Sequence, residues 1–184
     1  MYEINNRRYI GNKYKISDWI FNIINKEVSE KNIFFDVFAG TGIISNRALN
    51  YFNQVIVNDF LYSNEIIFKG FFEDIKWDKD KLSRIVESFN SLDPDGINDN
   101  YFSKNYGDKF FHRKNAKKIG HIRELIEEIK NEINIKEYSI LLTSLIYSID
   151  RISNTVGHYD AYIKKEITYK QFDFKLINAK KESR

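Results

Sequence analysis

The chain has 184 residues, 42% of them hydrophobic, and a formal net charge of +3, which suits one folded domain with a core and leaves room for an inserted subdomain. The absence of cysteine excludes disulfides and cysteine-bound zinc, and the three histidines (His112, His121 and His158) show no metal-ligand spacing. No apolar run approaches the roughly 18 residues of a membrane span and no signal peptide follows Arg7 and Arg8, so a soluble cytoplasmic protein without a membrane partner is expected.

The first predicted helix follows a basic loop over residues 8–15. Apolar residues at helical spacing carry this prediction, namely Ile16, Trp19, Ile20, Ile23 and Ile24. A basic loop at the start of a helix can hold a carboxylate or a phosphate. The alternative is a basic turn that faces only solvent.

Residues 33–42 predict a buried strand that ends in a Phe-x-Gly-x-Gly turn, formed by Phe38, Gly40 and Gly42. A short helix is predicted after the turn, and a second apolar strand over residues 55–59 ends in Asp59. Two strands joined by a helix predict a parallel pair. Such a glycine turn brings backbone close to a nucleotide-like ligand, and an acid at the next strand end can accept hydrogen bonds from ribose hydroxyls.

The glycine turn departs from two common phosphate-binding patterns. A dinucleotide fingerprint needs a third glycine where this chain has Ser45, and no lysine follows Gly42 as it does in a Walker motif. These departures disfavour a dinucleotide or ATP. They leave a small adenosine ligand without phosphate, and S-adenosyl-L-methionine (SAM) fits that description.

From about residue 76 the alternation of strands and helices stops. Helices are predicted over residues 61–72, 80–90, 116–133 and 138–153, and Pro94 predicts a turn. Alternating apolar residues over 169–177 predict a further strand. The predicted fold class is therefore α/β, a partial parallel sheet with a large and mainly helical insertion.

Residues 104–123 carry seven lysines or arginines against one acid, with aromatic residues among them. Cations neutralise phosphates and aromatic rings stack on bases, so this pattern is typical of a nucleic-acid surface. A solvated helix face whose aromatic residues belong to the core is the alternative.

Several segments together resemble the Dam-like family of N6-adenine DNA methyltransferases, in which target recognition precedes the catalytic motif. The resemblance lies in residues 8–13, 38–42, 58–59 and 150–162, with weaker likeness at 115–119 and 122–123. It implies a partial Rossmann-like, SAM-dependent methyltransferase sheet. Residues 1–75 are expected to bind SAM, residues 76–165 to form a helical target-recognition region, and residues 166–184 to return to the sheet.

The resemblance also implies roles for individual residues. Tyr9 would contact the cofactor, Lys13 would pair with its carboxylate, and Asp59 would bind its ribose. The pocket would be shaped by Phe38, Gly40 and Gly42. Contacts to the phosphates of double-stranded DNA would come from Lys114, Lys117, Lys118 and Arg123. His158 and Tyr159 would meet DNA or the flipped base, with packing or helix capping as the alternative.

One motif of the family is missing. Its members hold the adenine amine with Asp-Pro-Pro-Tyr, or with Asn in place of Asp, whereas Pro94 here stands in Asp-Pro-Asp-Gly. The expectation is therefore the N-terminal part of a restriction–modification adenine methyltransferase, truncated or split, which alone is inactive or very weak and needs a second polypeptide with the motif. A non-catalytic DNA- or SAM-binding remnant, or an enzyme acting on RNA or protein, are the alternatives.

Overall fold

The computed structural model describes residues 1–7 and 11–180. Its helices and strands, in chain order, are α1 (Ser17–Glu27), β1 (Ile33–Asp36), α2 (Ile43–Ala48), β2 (Gln54–Val57), α3 (Tyr62–Phe72), α4 (Lys79–Ser91), α5 (Tyr101–Tyr106), α6 (Arg113–Glu128) and α7 (Ile135–Ile152). Short 3-10 turns lie at Ile4–Asn6, Tyr14–Ile16, Pro94–Gly96 and Ile129–Asn131. The helices predicted from periodicity are confirmed, with shifted ends, and α5 was not predicted.

The strands β1 and β2 pair in parallel, with Phe35 opposite Ile56, which confirms the predicted strand–helix–strand unit. On the inner face, Phe34 packs against a small aromatic cluster that includes Phe21 and Phe52. The outer face is exposed: Ile33 keeps 59%, Phe35 55% and Ile56 41% of its surface. The prediction that β1 is a buried strand is therefore wrong for one face, because no described segment packs on it.

The helix α1 buries only part of the apolar stripe that its periodicity predicts, since Ile20 and Ile24 pack against the cluster around Phe21. Phe21 is fully buried and stacks on Phe34 and on Tyr51, with ring centroids 6.2 and 5.2 Å apart. Trp19, at 64% exposure, and Ile23 of the predicted apolar stripe face solvent instead. The aromatic inner face of the sheet selects Phe21 because ring-on-ring packing buries a large apolar area there.

The main core lies between α3, α6 and α7 and includes the buried side chains Ile67, Ile119, Ile122, Leu141 and Tyr147. α3 and α7 approach closely at Gly70, where a β-carbon would lie 2.6 Å from Oγ1 of Thr143. The glycine is therefore needed for this helix contact. The contact holds α3, the helix that follows β2 in the chain.

Residues 169–177 do not form the predicted strand. Phe172, Phe174 and Leu176 are buried as the alternation predicts, but the backbone finds side-chain partners rather than a neighbouring strand. Asn90 Oδ1 accepts from Phe174 N at 2.9 Å, and Ser144 Oγ accepts from Ile177 N at 2.9 Å. Residues 176–178 form one isolated bridge with Tyr2 near the N-terminus. In it, Tyr2 N donates to Leu176 O at 2.9 Å and Asn178 N donates to Tyr2 O at 2.7 Å.

Two further observations concern membrane-spanning helices and metal-binding side chains. Within residues 1–7 and 11–180, no helix is both long and apolar enough to cross a membrane. The same residues contain no cluster of His, Asp and Glu side chains that could hold a metal ion.

Candidate functional site

The glycine turn continues the pairing of β1 and β2 beyond the strands. Asn58 N donates to Asp36 O at 2.9 Å, and Ala39 N donates to Asn58 O at 3.0 Å. The turn closes when Gly42 N donates to Ala39 O at 2.9 Å. Gly40 and Gly42 both have positive φ, at 56° and 74°, a backbone conformation that favours glycine.

The two glycines have different surroundings. A β-carbon on Gly42 would lie 2.9 Å from a ring carbon of Phe68 and 3.2 Å from Cδ1 of Ile4. A β-carbon on Gly40 would meet nothing within 4 Å. Gly42 is thus required by packing inside the fold, whereas Gly40 borders open space that a ligand can enter.

Hydrogen bonds join Asp59 to the glycine turn and to the start of α3. Oδ2 of Asp59 accepts from Gly40 N at 2.8 Å, and Oδ1 accepts from Leu61 N at 3.0 Å and from Nδ2 of Asn64 at 2.8 Å. Burial acts to raise the pKa of Asp59, but these hydrogen bonds and the nearby Arg7 charge together hold it below its ordinary value. The group is therefore a carboxylate at neutral pH.

Sequence reasoning missed Asn64, which is 1% exposed. Its Oδ1 accepts from Nη1 of Arg7 at 2.6 Å while its Nδ2 donates to Asp59. A polar residue in the first turn of a helix is common in any sequence, so no local pattern marks this one. Its partner Arg7 lies 57 positions away along the chain.

Two aromatic rings beside the turn are almost uncovered. Phe38 directly follows the β1 region and is 87% exposed, and Phe60 directly follows Asp59 and is 97% exposed. Phe38 was predicted as part of the pocket, but Phe60 was not. Uncovered rings next to the residues of the open glycine turn offer flat apolar surface to a planar ligand.

The two remaining residues predicted to bind the cofactor, Tyr9 and Lys13, come from the N-terminal segment. Lys13 is exposed, and its Nζ donates to Gly11 O at 2.9 Å. Among the described residues, no hydrogen bond joins Lys13 to the glycine turn. Tyr9 lies outside the described residues.

Three of the four cations predicted to contact DNA lie on the surface of α6. Nζ of Lys114 pairs with Asp95 at 2.8 Å, Lys117 is half-buried, and Nη1 of Arg123 pairs with Glu127 at 2.6 Å. At about 100° per residue, Arg123 points about 180° away from Lys114 around the helix. These cations therefore do not form one continuous surface.

Lys118 is buried, with 4% exposure. Its Nζ donates to the carbonyl oxygens of Asn90 and Leu92 at 2.8 and 2.9 Å, so it satisfies the C-terminal end of α4. Burial lowers the pKa of Lys118. A phosphate contact needs an accessible ammonium, whereas the Lys118 ammonium lies in the interior of the protein.

His158 and Tyr159 lie in a loop that is closed by Asn154. Nδ2 of Asn154 donates to Ile163 O at 2.7 Å and to Lys109 O at 3.0 Å. Tyr159 OH donates to Oδ1 of Asp150 at 3.0 Å, and burial raises the pKa of Tyr159 well above its ordinary value. Nδ1 of His158 lies 3.3 Å from a carboxylate oxygen of Asp160. Tyr159 thus has a structural contact, as the packing alternative predicts.

A polar cavity of about 380 Å³ lies at the base of this loop. Its lining contains four basic side chains against one acid, Glu166; the basic residues are His112, Arg151, Lys165 and Lys170. Sequence reasoning did not single out these four, because they come from three separate segments. Arg151, Lys165 and Lys170 together place positive charge in a concave site, which suits an anion.

Comparison with known proteins places these features in context. The model of the family described as D12 class N6 adenine-specific DNA methyltransferase matches residues 9–184. The chain is 36% identical over 163 residues to type II methyltransferase M.CviAII of Paramecium bursaria Chlorella virus 1, and 32% identical over 165 residues to type II methyltransferase M.NlaIII of Neisseria lactamica. Modification methylase LlaI of Lactococcus lactis subsp. lactis is 30% identical over 171 residues.

Each of these alignments covers 85% of this chain, but 49%, 49% and 27% of the three relatives. The chain thus spans about half the length of the first two. No solved structure matches it.

Proposed function

Because this chain belongs to the D12 class of N6 adenine-specific DNA methyltransferases, we propose that it supplies the cofactor-binding and target-recognition parts of a site-specific adenine methyltransferase. The relatives are named as type II methyltransferases and a modification methylase, which supports a role in restriction–modification. The observation that carries the proposal is the hydrogen bond between Gly40 and Asp59 beside open space. In this proposal β1 and β2 belong to a Rossmann-like sheet.

The cofactor proposed for this site is SAM, which supplies an activated methyl group when bound. The residues around the turn fit it in three ways. Gly40 leaves room for the ligand, Phe38 and Phe60 present rings to the adenine, and Asp59 presents a carboxylate to the ribose. Lys13 and Tyr9 are proposed to complete the site from the N-terminal segment.

The hydrogen bonds of Asp59 limit what it offers to a ribose. A carboxylate has about four lone-pair positions, and three are used by Gly40, Leu61 and Asn64. The remaining position is on Oδ2, beside Gly40. We therefore assign one ribose hydrogen bond to Asp59 Oδ2, and any further ribose contact to other groups.

Calorimetric titration with SAM tests the cofactor proposal. Asp59→Ala should weaken binding by roughly 10-fold or more, because a hydrogen bond to a charged group is lost. Asp36→Asn is a useful comparison, because Asp36 is the last residue of the paired strand β1 and its carboxylate accepts from Ser45 Oγ at 2.6 Å. Equal affinity of wild type and Asp59→Ala would contradict the assignment.

For double-stranded DNA we propose the basic cavity as the phosphate-binding surface, extended by Lys114 and Lys117. Phosphate contacts position DNA and make binding dependent on salt. Lys170→Ala should reduce the slope of log affinity against log salt by about 1, whereas Lys26→Ala on α1 should leave it unchanged. Binding to duplex DNA is measured by fluorescence anisotropy, with RNA of the same sequence as the competing class of ligand.

The chain contains no Asp-Pro-Pro-Tyr, so no catalytic residue is assigned to it and no methyl transfer is expected from it alone. In this proposal the motif comes from sequence outside these 184 residues, and a separate polypeptide is the source that an experiment can supply. A second candidate is a non-catalytic DNA- or SAM-binding protein. The first candidate predicts that binding and chemistry are separable, whereas the second predicts binding only.

A complementation assay separates these two candidates. The second polypeptide is the part of the chlorella-virus relative outside the aligned region, and the readout is transfer of labelled methyl from SAM to adenine in duplex DNA. Transfer that requires both polypeptides supports the divided enzyme. Intact binding of SAM and DNA without transfer supports the non-catalytic protein.

A further inference from the structure

Asn64 connects the end of β2 to the N-terminal segment. It lies in the first turn of α3 and is almost completely buried. The acceptor of its amide faces the Arg7 guanidinium at 2.6 Å, and the donor faces the Asp59 carboxylate at 2.8 Å. Both ends of the amide are therefore used: the oxygen accepts from a cation and the nitrogen donates to an anion.

We infer that Asn64 is a positioning residue of the proposed cofactor site, which fixes the Asp59 carboxylate so that its free Oδ2 lone pair faces the ligand. The inference rests on the proposed function of that site. Arg7 completes the arrangement, because its hydrogen bond to Oδ1 of Asn64 decides which way the amide points.

The chemistry of the site explains why an amide is needed. The terminal torsion of an aspartate side chain is broad, so its orientation depends on hydrogen bonds. Without Asn64, Oδ1 of Asp59 keeps only the peptide donor of Leu61. An aspartate at position 64 would place a second carboxylate against Asp59, and a leucine would leave both charged neighbours without this partner.

The experiment measures SAM affinity by calorimetry for Asn64→Leu, Asn64→Asp and the control Ser63→Ala, which alters the neighbouring residue of the same helical turn. Circular dichroism melts establish that each variant is folded. Asn64→Asp retains an acceptor for Arg7, so it keeps the fold testable if Asn64→Leu does not fold. Both Asn64 variants should bind SAM roughly 10- to 100-fold more weakly, and Ser63→Ala should bind as wild type does.

A double-mutant cycle distinguishes positioning from a general structural effect. If Asn64 acts through Asp59, Asn64→Asp should cause little further loss of affinity in the Asp59→Ala background. Additive losses, or unchanged affinity in a folded Asn64 variant, would overturn the inference while leaving the proposed function intact. Failure of the wild-type chain to bind SAM would overturn both.

Discussion

The two glycines of the glycine turn, Gly40 and Gly42, should respond differently to the same added methyl group. Both have positive φ, which costs a residue with a β-carbon about 1–2 kcal/mol. At Gly42 the methyl group would also press against Phe68 at 2.9 Å, and overpacking of this kind costs about 1–3 kcal/mol. The free energy of unfolding should therefore fall by about 2–5 kcal/mol in Gly42→Ala and by about 1–2 kcal/mol in Gly40→Ala.

Urea unfolding followed by circular dichroism measures these losses, with Gly96→Ala as a control because Gly96 lacks a positive φ and has open surroundings. SAM titration of the same proteins adds the functional comparison. Gly40→Ala should weaken SAM binding despite its small effect on stability, because its methyl group enters the space proposed for the ligand. Equal stability losses in the two variants would refute the packing argument, and wild-type SAM affinity in Gly40→Ala would refute the ligand position.

Three further predictions concern the helical region. Lys136 is fully buried, and burial lowers its pKa from 10.5 to about 8. The unfolded chain keeps the Lys136 proton to higher pH than the folded chain does, so the free energy of unfolding should rise between about pH 8 and 10.5. Lys136→Met should abolish this rise in urea titrations and should stabilise the chain near pH 7 by up to about 3 kcal/mol. The control Lys104→Met should do neither. Asn154→Ala removes two donor contacts that close its loop, so trypsin should cleave that loop faster, and an unchanged cleavage rate would contradict the closure. Lys118→Met leaves two carbonyl groups without their donor and should lower stability by about 1–3 kcal/mol, while the salt slope of DNA binding stays as in wild type.

The sequence predicted elements well where local periodicity matches burial. α7 was predicted over residues 138–153 and is observed at Ile135–Ile152. Its earlier start depends on Asn134, which accepts from Glu137 N at 2.9 Å while the Glu137 side chain accepts from Asn134 N at 3.1 Å. This capping pair is visible in the sequence as Asn-x-x-Glu and could have corrected the boundary.

The failures arise where the partners are distant in the chain. Residues 169–177 alternate like a strand and bury the expected side chains, but whether a strand forms depends on which backbone lies alongside. Asn90 and Ser144 occupy that place instead. The glycine turn shows the same limit. Gly40 and Asp59 belong to a local motif, whereas the contact of Asn64 with Arg7 joins residues 57 positions apart that no local pattern connects.

The pairing of Tyr2 with residues 176–178 has a consequence for how the protein is made. Tyr2 emerges from the ribosome about 174 residues ahead of its backbone partners Leu176 and Asn178. At about 5–20 residues per second this delay is roughly 10–35 s. Ile4, which packs beside Gly42, and Arg7, which holds Asn64, gain this anchorage only after the whole helical region has been synthesised. The glycine turn is therefore synthesised early but gains these contacts late, after the helices α3 to α7 have emerged.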